Sequence, residues 1–348
     1  MTGRETDPAI VALGGGHGLY ATLSAVRLLT AKICAVVTVA DDGGSSGRLR
    51  SELGVIPPGD LRMALAALAE DPDGVWARTV QHRFGGTGAL AGHSVGNLIV
   101  AGLTEVLGDP VAALDEVAKM LRITGRVLPM SPIALDIEAD VSGLEADPRV
   151  SRCIRGQVAV ATTPGKVRRV RLIPSDPPAS PQATSAIEHA DVVVLGPGSW
   201  FTSVIPHVLV PGLHEALVYT RARKVLVLNL AAEPGETAGF SAERHLHVLS
   251  QHAPEFVVDD VLVDAGSVAE GREREHVARA AEQLRARVTF SEVAEAGTDR
   301  HHPGKLAAAL DQLIRQPRPQ MAGLRVEGRH MGADVRSGLG GKERVSWR

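Results

Sequence analysis

Val37-Thr38-Val39-Ala40-Asp41-Asp42-Gly43-Gly44-Ser45-Ser46-Gly47-Arg48-Leu49-Arg50 closes an apolar, β-branched run that begins at Ile33. Two adjacent carboxylates end the run, a loop of Gly and Ser follows, and then comes a basic, helix-like segment. Strand, acidic flexible loop, helix is the arrangement with which open α/β sheets build ligand sites at the carboxyl ends of their strands. Gly43, Gly44 and Gly47 let the backbone approach a ligand closely, and loop N–H groups can point at phosphate. Ser45 and Ser46 add hydroxyls to the same loop. Asp41 and Asp42 can accept from sugar hydroxyls or hold a hard cation such as magnesium. A tight turn between strand and helix requires neither the paired carboxylates nor the uninterrupted Gly-Gly-Ser-Ser-Gly run.

The same logic appears on either side. Ile10-Val11-Ala12-Leu13 reads as a buried strand, Gly14-Gly15-Gly16-His17-Gly18 as a glycine loop, and Leu19 to Leu29 as a helix. Unpaired N–H groups and the helix dipole favour an anion at such a junction. Leu19 stands where the dinucleotide fingerprint has its third glycine. Further on, Val192-Val193-Val194-Leu195 is a continuous apolar run typical of a central parallel strand. It leads into Gly196-Pro197-Gly198-Ser199-Trp200-Phe201-Thr202-Ser203. Gly196, Gly198, Ser199 and Ser203 suit a second phosphate- or sugar-binding loop, with Ser199 as a simple helix cap the alternative. Asn229 ends the next strand, Lys224 to Leu230, and can read a base or sugar edge. Glu233 and Glu236 beyond it read equally well as solvated loop charge. His93, Ser94 and Asn97 open a helix, where Ser94 either caps or donates to a phosphate. His82 and Arg83 close the preceding helix, where cations complement the dipole.

These segments resemble one family. Gly14–Gly18, Val37–Arg50, Pro57-Pro58-Gly59-Asp60-Leu61-Arg62, Gln81-His82-Arg83-Phe84, Gly92-His93-Ser94-Val95-Gly96-Asn97 and Gly196–Ser199 are similar to motifs of the YvcK family, the gluconeogenesis factors, within the CofD-like superfamily. The resemblance is to actinobacterial members and runs in order from about residue 8 to about residue 315. His17 departs from the commoner Thr, and Ala231-Ala232-Glu233 departs from a Thr-Gln pair. The resemblance implies a regulatory protein that binds a UDP-sugar, UDP-glucose or UDP-N-acetylglucosamine. It also implies links to growth on gluconeogenic carbon sources, to cell shape and morphogenesis, and to peptidoglycan synthesis. It gives Asp60 and the His93–Asn97 segment a ligand-facing place. Two alternatives stand beside it. One is a transferase of the 2-phospho-L-lactate type, with Asp41, Asp42 and Asp60 near a divalent metal or hydroxyl. The other is a dinucleotide-binding protein, with Asp41 or Asp42 on the ribose.

The remaining sequence agrees with a Rossmann-like, doubly wound, mostly parallel sheet carrying a β-rich insertion. Residues 1–315 read as a single domain, the insertion spans about 127–175, and 316–348 read as a disordered basic tail. Helices are expected at Asp60–Glu70 with Asp60 as N-cap, Val75–Phe84, Ser94–Leu107, after Asp109-Pro110, Gln182–Ala190, Ser241–His252, Arg272–Arg287 and Gly304–Arg315. Gln157–Thr162 and Val167–Ile173 read as strands flanking a hairpin turn at Thr163–Lys166. Lys166 and Arg168 are expected on one face of that strand, and Arg169 and Arg171 on the other. Such a run is a solvated edge strand rather than a nucleic-acid patch. The tail holds seven Lys/Arg against three Asp/Glu and is a candidate surface for cell-wall or regulatory partner proteins.

Aromatics make up only 3% of the chain, so the core must rest on Val, Leu, Ile and Ala. A net charge of −3 gives no argument for nucleic acid or membrane. No apolar run reaches membrane-spanning length, and Met1–Pro8 lacks a signal-like apolar stretch. Cys34 and Cys153 have no metal-ligand spacing, which suits a reducing, cytoplasmic setting. His301-His302 and His245-x-His247 read as surface histidines. No cofactor is firmly implied, magnesium at Asp41 and Asp42 stays open, and so does a homodimer.

Overall fold

The computed structural model describes residues 7–147, 149–233 and 235–318. The proposed tail beyond Arg318 lies outside the described residues. Three strands come first in the main sheet: β1 (Ile10–Gly14), β2 (Ile33–Val37) and β3 (Arg126–Pro129). Six helices accompany them: α1 (Gly16–Val26), α2 (Gly44–Leu53), α3 (Gly59–Leu68), α4 (Val75–Gln81), α5 (Val95–Leu107) and α6 (Pro110–Leu121). A small sheet follows, made of β4 (Asp136–Ser142), β5 (Ser151–Arg155) and β6 (Lys166–Ile173), with α7 (Gln157–Ala161) between the last two. The chain then returns to the main sheet. After α8 (Pro181–Glu188) comes β7 (Val192–Leu195), a π-helical turn at Trp200–Val204, α9 (Ile205–Leu209) and α10 (Pro211–Tyr219). It closes with β8 (Arg223–Val227), α11 (Ala242–His252), β9 (Asp260–Asp264), α12 (Arg272–Glu282), β10 (Arg287–Ser291) and α13 (Pro303–Arg315).

The main sheet has seven strands in the order β10-β9-β8-β7-β1-β2-β3, all parallel. β1 is flanked on both edges, with Ile10 opposite Ile33 on one side and Val192 on the other. Helices cover both faces, so Ile10 to Leu13 and Val192 to Leu195 are buried throughout. That double burial is why these strands read as unbroken apolar runs instead of alternating ones. From β1 the order runs outward through β2 and β3 on one side, and from β7 through β10 on the other. The reversal between β1 and β7 opens a crevice at the carboxyl edge, where doubly wound sheets bind ligands.

Several expectations change in three dimensions. Residues 126–129, taken as the start of the insertion, pair with β2, so the antiparallel sheet begins only at Asp136. Gln157–Ala161 is a short helix rather than a strand, and β6 pairs with β4 rather than folding back on it as a hairpin. The helix expected over Arg272–Arg287 stops at Glu282, because Arg287 starts β10 beside β9. β6 is an edge strand as expected, but its register shifts opposite Asp140 and Val141, giving it one extra residue. The bulge reverses side-chain parity. Lys166, Arg168, Arg169 and Arg171 are therefore all exposed, while Val167, Val170 and Leu172 point into the core. Acids of β4 answer the charge, with Arg171 Nε 2.8 Å from Glu138 and its Nη1 3.1 Å from Asp140.

At the amino edge of the main sheet the first residues of three strands form a closed charge cluster. The Asp260 carboxylate accepts from Arg223 Nε at 2.7 Å and from Arg287 Nη2 at 2.7 Å. Asp260 is wholly buried. Removing it strands two guanidinium groups, so Asp260→Ala is expected to cost about 3–5 kcal/mol in chemical denaturation. A loss within the range of an ordinary surface substitution would show that β8, β9 and β10 do not depend on this brace.

Candidate functional site

The glycine loop after β1 is shaped by what lies against it. Gly16 has φ +53, and a Cβ on Gly18 would sit 1.9 Å from the Pro197 carbonyl oxygen. The loops after β1 and β7 therefore meet backbone to backbone at the switch point. α1 begins without a side-chain cap and without an acidic residue in its first turn, so its amide groups face the crevice as an anion site. His17 is exposed in that first turn.

Acidic groups border this anion site. A Cβ on Gly15 would lie 2.5 Å from Asp60 Oδ2 and 3.2 Å from Ser203 Oγ, which places both side chains beside the loop. Asp60 was expected to cap its helix. Instead α3 starts one residue earlier, because Ser46 Oγ accepts the Gly59 N–H at 3.0 Å. That bond frees the Asp60 carboxylate to point at the glycine loop. Asp41 stands next to it, with Oδ1 accepting from Gly43 N at 2.9 Å and Oδ2 close to Gly59. Burial, then the like charge of Asp41, pushes the Asp60 carboxyl up to about 7 against the pull of the Gly16 amide and Arg62.

Other sequence candidates are occupied by the fold. Asp42 turns away from Asp41 and accepts from Gln157 N at 3.0 Å and Val158 N at 2.9 Å, capping α7 across the molecule. The Gly44-Ser45-Ser46 segment is no flexible loop but the first turn of α2. Asn229 clamps the Gly198 peptide, accepting from its N–H at 2.8 Å and donating to its oxygen at 2.9 Å. One donor and one acceptor of its amide are thereby committed to that loop, which leaves a second N–H and a second lone pair. The Ser199 carbonyl accepts from Ser203 N and Val204 N, and Gly196 packs against Thr22. Magnesium between Asp41 and Asp42 is not supported: the carboxylates diverge, and among the described residues no three metal-binding side chains converge.

A buried network links α2, α3 and α5. Asn97 Nδ2 donates to Ser45 Oγ at 3.0 Å, and the same hydroxyl is hydrogen-bonded to His93 Nδ1 at 3.0 Å. Burial, followed by the charge of Arg48, lowers the His93 pKa. Arg62 completes the network through Nε to Asn97 Oδ1 at 2.9 Å. Ser94 is the N-cap of α5 but makes no capping bond, and its buried Oγ has no partner.

Reading the sequence missed Arg62, although it stands two residues after Asp60 in the same motif. It left Glu236 open between a ligand contact and solvated loop charge, whereas Glu236 is buried, its carboxyl pushed up to about 8 by burial and by Glu233. His245 and His301, expected on the surface, are buried too. His245 packs edge-on against Trp200 and Phe240, with ring centroids 4.9 and 5.4 Å away. Among the described residues no single helix is long and apolar enough to cross a membrane.

Comparison with known proteins places this geometry. The family model described as 2-phospho-L-lactate transferase CofD matches residues 10–299. A gluconeogenesis factor of Mycobacterium leprae is 72% identical over 313 residues, covering 89% of this chain and 87% of the relative. The gluconeogenesis factor of Bacillus subtilis is 35% identical over 321 residues, covering 89% and 99%. A crystal structure of a UPF0052-family protein from Bacillus halodurans superposes with a TM-score of 0.78 at 35% identity, covering 88% of this chain and 99% of that one.

Two outcomes follow from the carboxylates. Asp42→Ala removes the acceptor for two helix amides and is expected to destabilise the protein by about 0.5–2 kcal/mol, with faster hydrogen exchange at Gln157 and Val158. Unchanged exchange there would refute the capping role. The Asp60 carboxyl is expected to titrate near 7 by carbon NMR of labelled aspartates, and to move down in Asp41→Asn as the like charge is removed. Since its ordinary value is 3.8, the stability given by its neutral form is full below that pH and is lost as pH rises through about 7. A normal, Asp41-independent titration would refute this electrostatic coupling.

Proposed function

This chain belongs to the CofD family and, within it, to the gluconeogenesis factors, and from that premise we propose that it is a regulatory protein binding a UDP-sugar, UDP-glucose or UDP-N-acetylglucosamine, at the carboxyl edge of its main sheet. One observation carries the reading. The uncapped first turn of α1, seated at the β1/β7 switch point, lies directly beside the Asp60 carboxylate, with Asp41 next along at Gly59. Amide groups at a helix start suit a diphosphate, and adjacent carboxylates suit the hydroxyls of a ribose or hexose. Ser203, on the loop from β7, supplies a further hydroxyl at the same place. The family name supports a role in growth on gluconeogenic carbon sources. Links to morphogenesis and peptidoglycan synthesis, and partner proteins met through the tail, belong to the same proposal.

A transferase reading is favoured by one feature, Asp60. A carboxyl near 7 is suited to taking a proton from an attacking hydroxyl at neutral pH. Calorimetry with UDP-glucose, UDP-N-acetylglucosamine, GDP, NAD and a deazaflavin, with and without magnesium, separates the two. The UDP-sugars are expected to bind, to remain intact on prolonged incubation, and to lose about tenfold or more in affinity with Asp60→Ala, the cost of one charge-assisted hydrogen bond. Tight NAD binding without UDP-sugar binding, or consumption of a GDP-linked donor, would overturn the regulatory reading.

A further inference from the structure

The fold treats its buried arginines in two different ways. Arg223 is 3% exposed and is met by the Asp260 carboxylate at 2.7 Å. Arg62 is 5% exposed, yet no carboxylate lies within ion-pair distance of it among the described residues. Its Nε–H goes to Asn97 Oδ1, and among the described residues its two terminal nitrogens have no hydrogen-bond partner. The small part of the residue that solvent reaches includes both of these nitrogens. A guanidinium withdrawn from water without an anion is costly, and an anionic ligand removes that cost.

The surroundings are cationic on one side. Arg62 is lowered to about 10 by burial and then by the nearby charge of Arg83, while Asp60 and Asp41 pull it back. Those two carboxylates lie on the side of the glycine loop, beside Gly15 and Gly59. On the opposite side the Arg62 stem crosses the first turn of α5, where a Cβ on Gly96 would come within 2.9 Å of its Cγ and Cδ. α5 and α2 both start without a side-chain cap or an acidic residue in the first turn. Their starts are joined to Arg62 through the Ser45–Asn97 bond. Ser94, at the start of α5, keeps its buried hydroxyl unpartnered. Fixed donors around an unpaired guanidinium, with the forked geometry of arginine, suit a tetrahedral oxyanion.

We propose that Arg62, steadied by Asn97 and backed by Arg83 and the starts of α2 and α5, forms a subsite for a phosphoryl group carried by a second ligand. The cleft then has two lobes. The glycine loop and the acids take a nucleotide-sugar, and the Arg62 lobe takes the phosphorylated group of another molecule. The inference rests on the nucleotide-sugar reading only for the occupant of the first lobe.

Inorganic phosphate is the probe. It is titrated by calorimetry and phosphorus NMR into the full-length protein, both ligand-free and saturated with UDP-glucose. Binding is expected in both states. Arg62→Gln is expected to weaken it about tenfold or more, the loss of a charge-assisted hydrogen bond pair, and to change UDP-glucose affinity by a smaller factor, since Arg62 reaches that lobe only through the charge of Asp60. Arg83→Gln, at an exposed position whose Nη1 donates to the Gly92 carbonyl at 3.0 Å, is expected to weaken it by a smaller factor and decides the matter if Arg62→Gln does not fold. Absence of phosphate binding to the wild-type chain, or equal binding by the variants, overturns the proposal. So does competition between phosphate and UDP-glucose, which would assign Arg62 to the diphosphate of the nucleotide itself. If UDP-glucose binds neither form, the nucleotide-sugar reading fails, and the ligand-free titrations still decide this one.

Discussion

The backbone of Gly18 rests against the carbonyl of Pro197 with no space for a side-chain carbon. This contact ties the first turn of α1 to the loop leaving β7, at the point where strand order reverses. The rest of the cleft is built from it. Asn229 holds the Gly198 peptide from the next strand over, and Asp60 and Ser203 both close in on Gly15 where its Cβ would stand. A larger residue at position 18 would separate the loops and open the crevice on which the anion site depends.

The two edges of the sheet show opposite electrostatic solutions. At the amino edge the buried Asp260 carboxylate pairs with two arginines, so the buried guanidinium of Arg223 has a direct counter-charge. At the carboxyl edge charge is left unresolved. The charge of Asp41 opposes ionisation of Asp60, and Arg62 is buried with no carboxylate within ion-pair distance among the described residues. The first arrangement stabilises the fold. The second stores unfavourable interactions where a ligand relieves them, which is how binding sites commonly depart from a stability optimum.

Adjacent residues divide between these tasks. Asp41 faces the cleft while Asp42 caps α7, so the small antiparallel sheet is fastened to the main one at the mouth of the site. Ser45 joins the network of His93, Asn97 and Arg62, while Ser46 fixes Gly59 and thereby aims Asp60.

The strands β1, β2, β7 and β8, the loops that leave them and the cap at Asp109 were legible in the sequence, because they depend on local rules. Doubly buried strands must be apolar throughout, glycine is needed where backbones touch, and a capping side chain bonds within its own turn. The motifs likewise led to the right family, since their order and spacing survive in the chain itself. Tertiary structure alone decided which neighbour each polar group meets. Asp42 was drawn to a helix more than a hundred residues away, Asn229 to a peptide of another loop, and a single bulge turned four basic residues of β6 to one face. It also hid Glu236, His245 and His301, and left Arg62 without an acid. Such outcomes depend on long-range contacts and on the desolvation they impose, and neither is encoded in the spacing of residues along the chain.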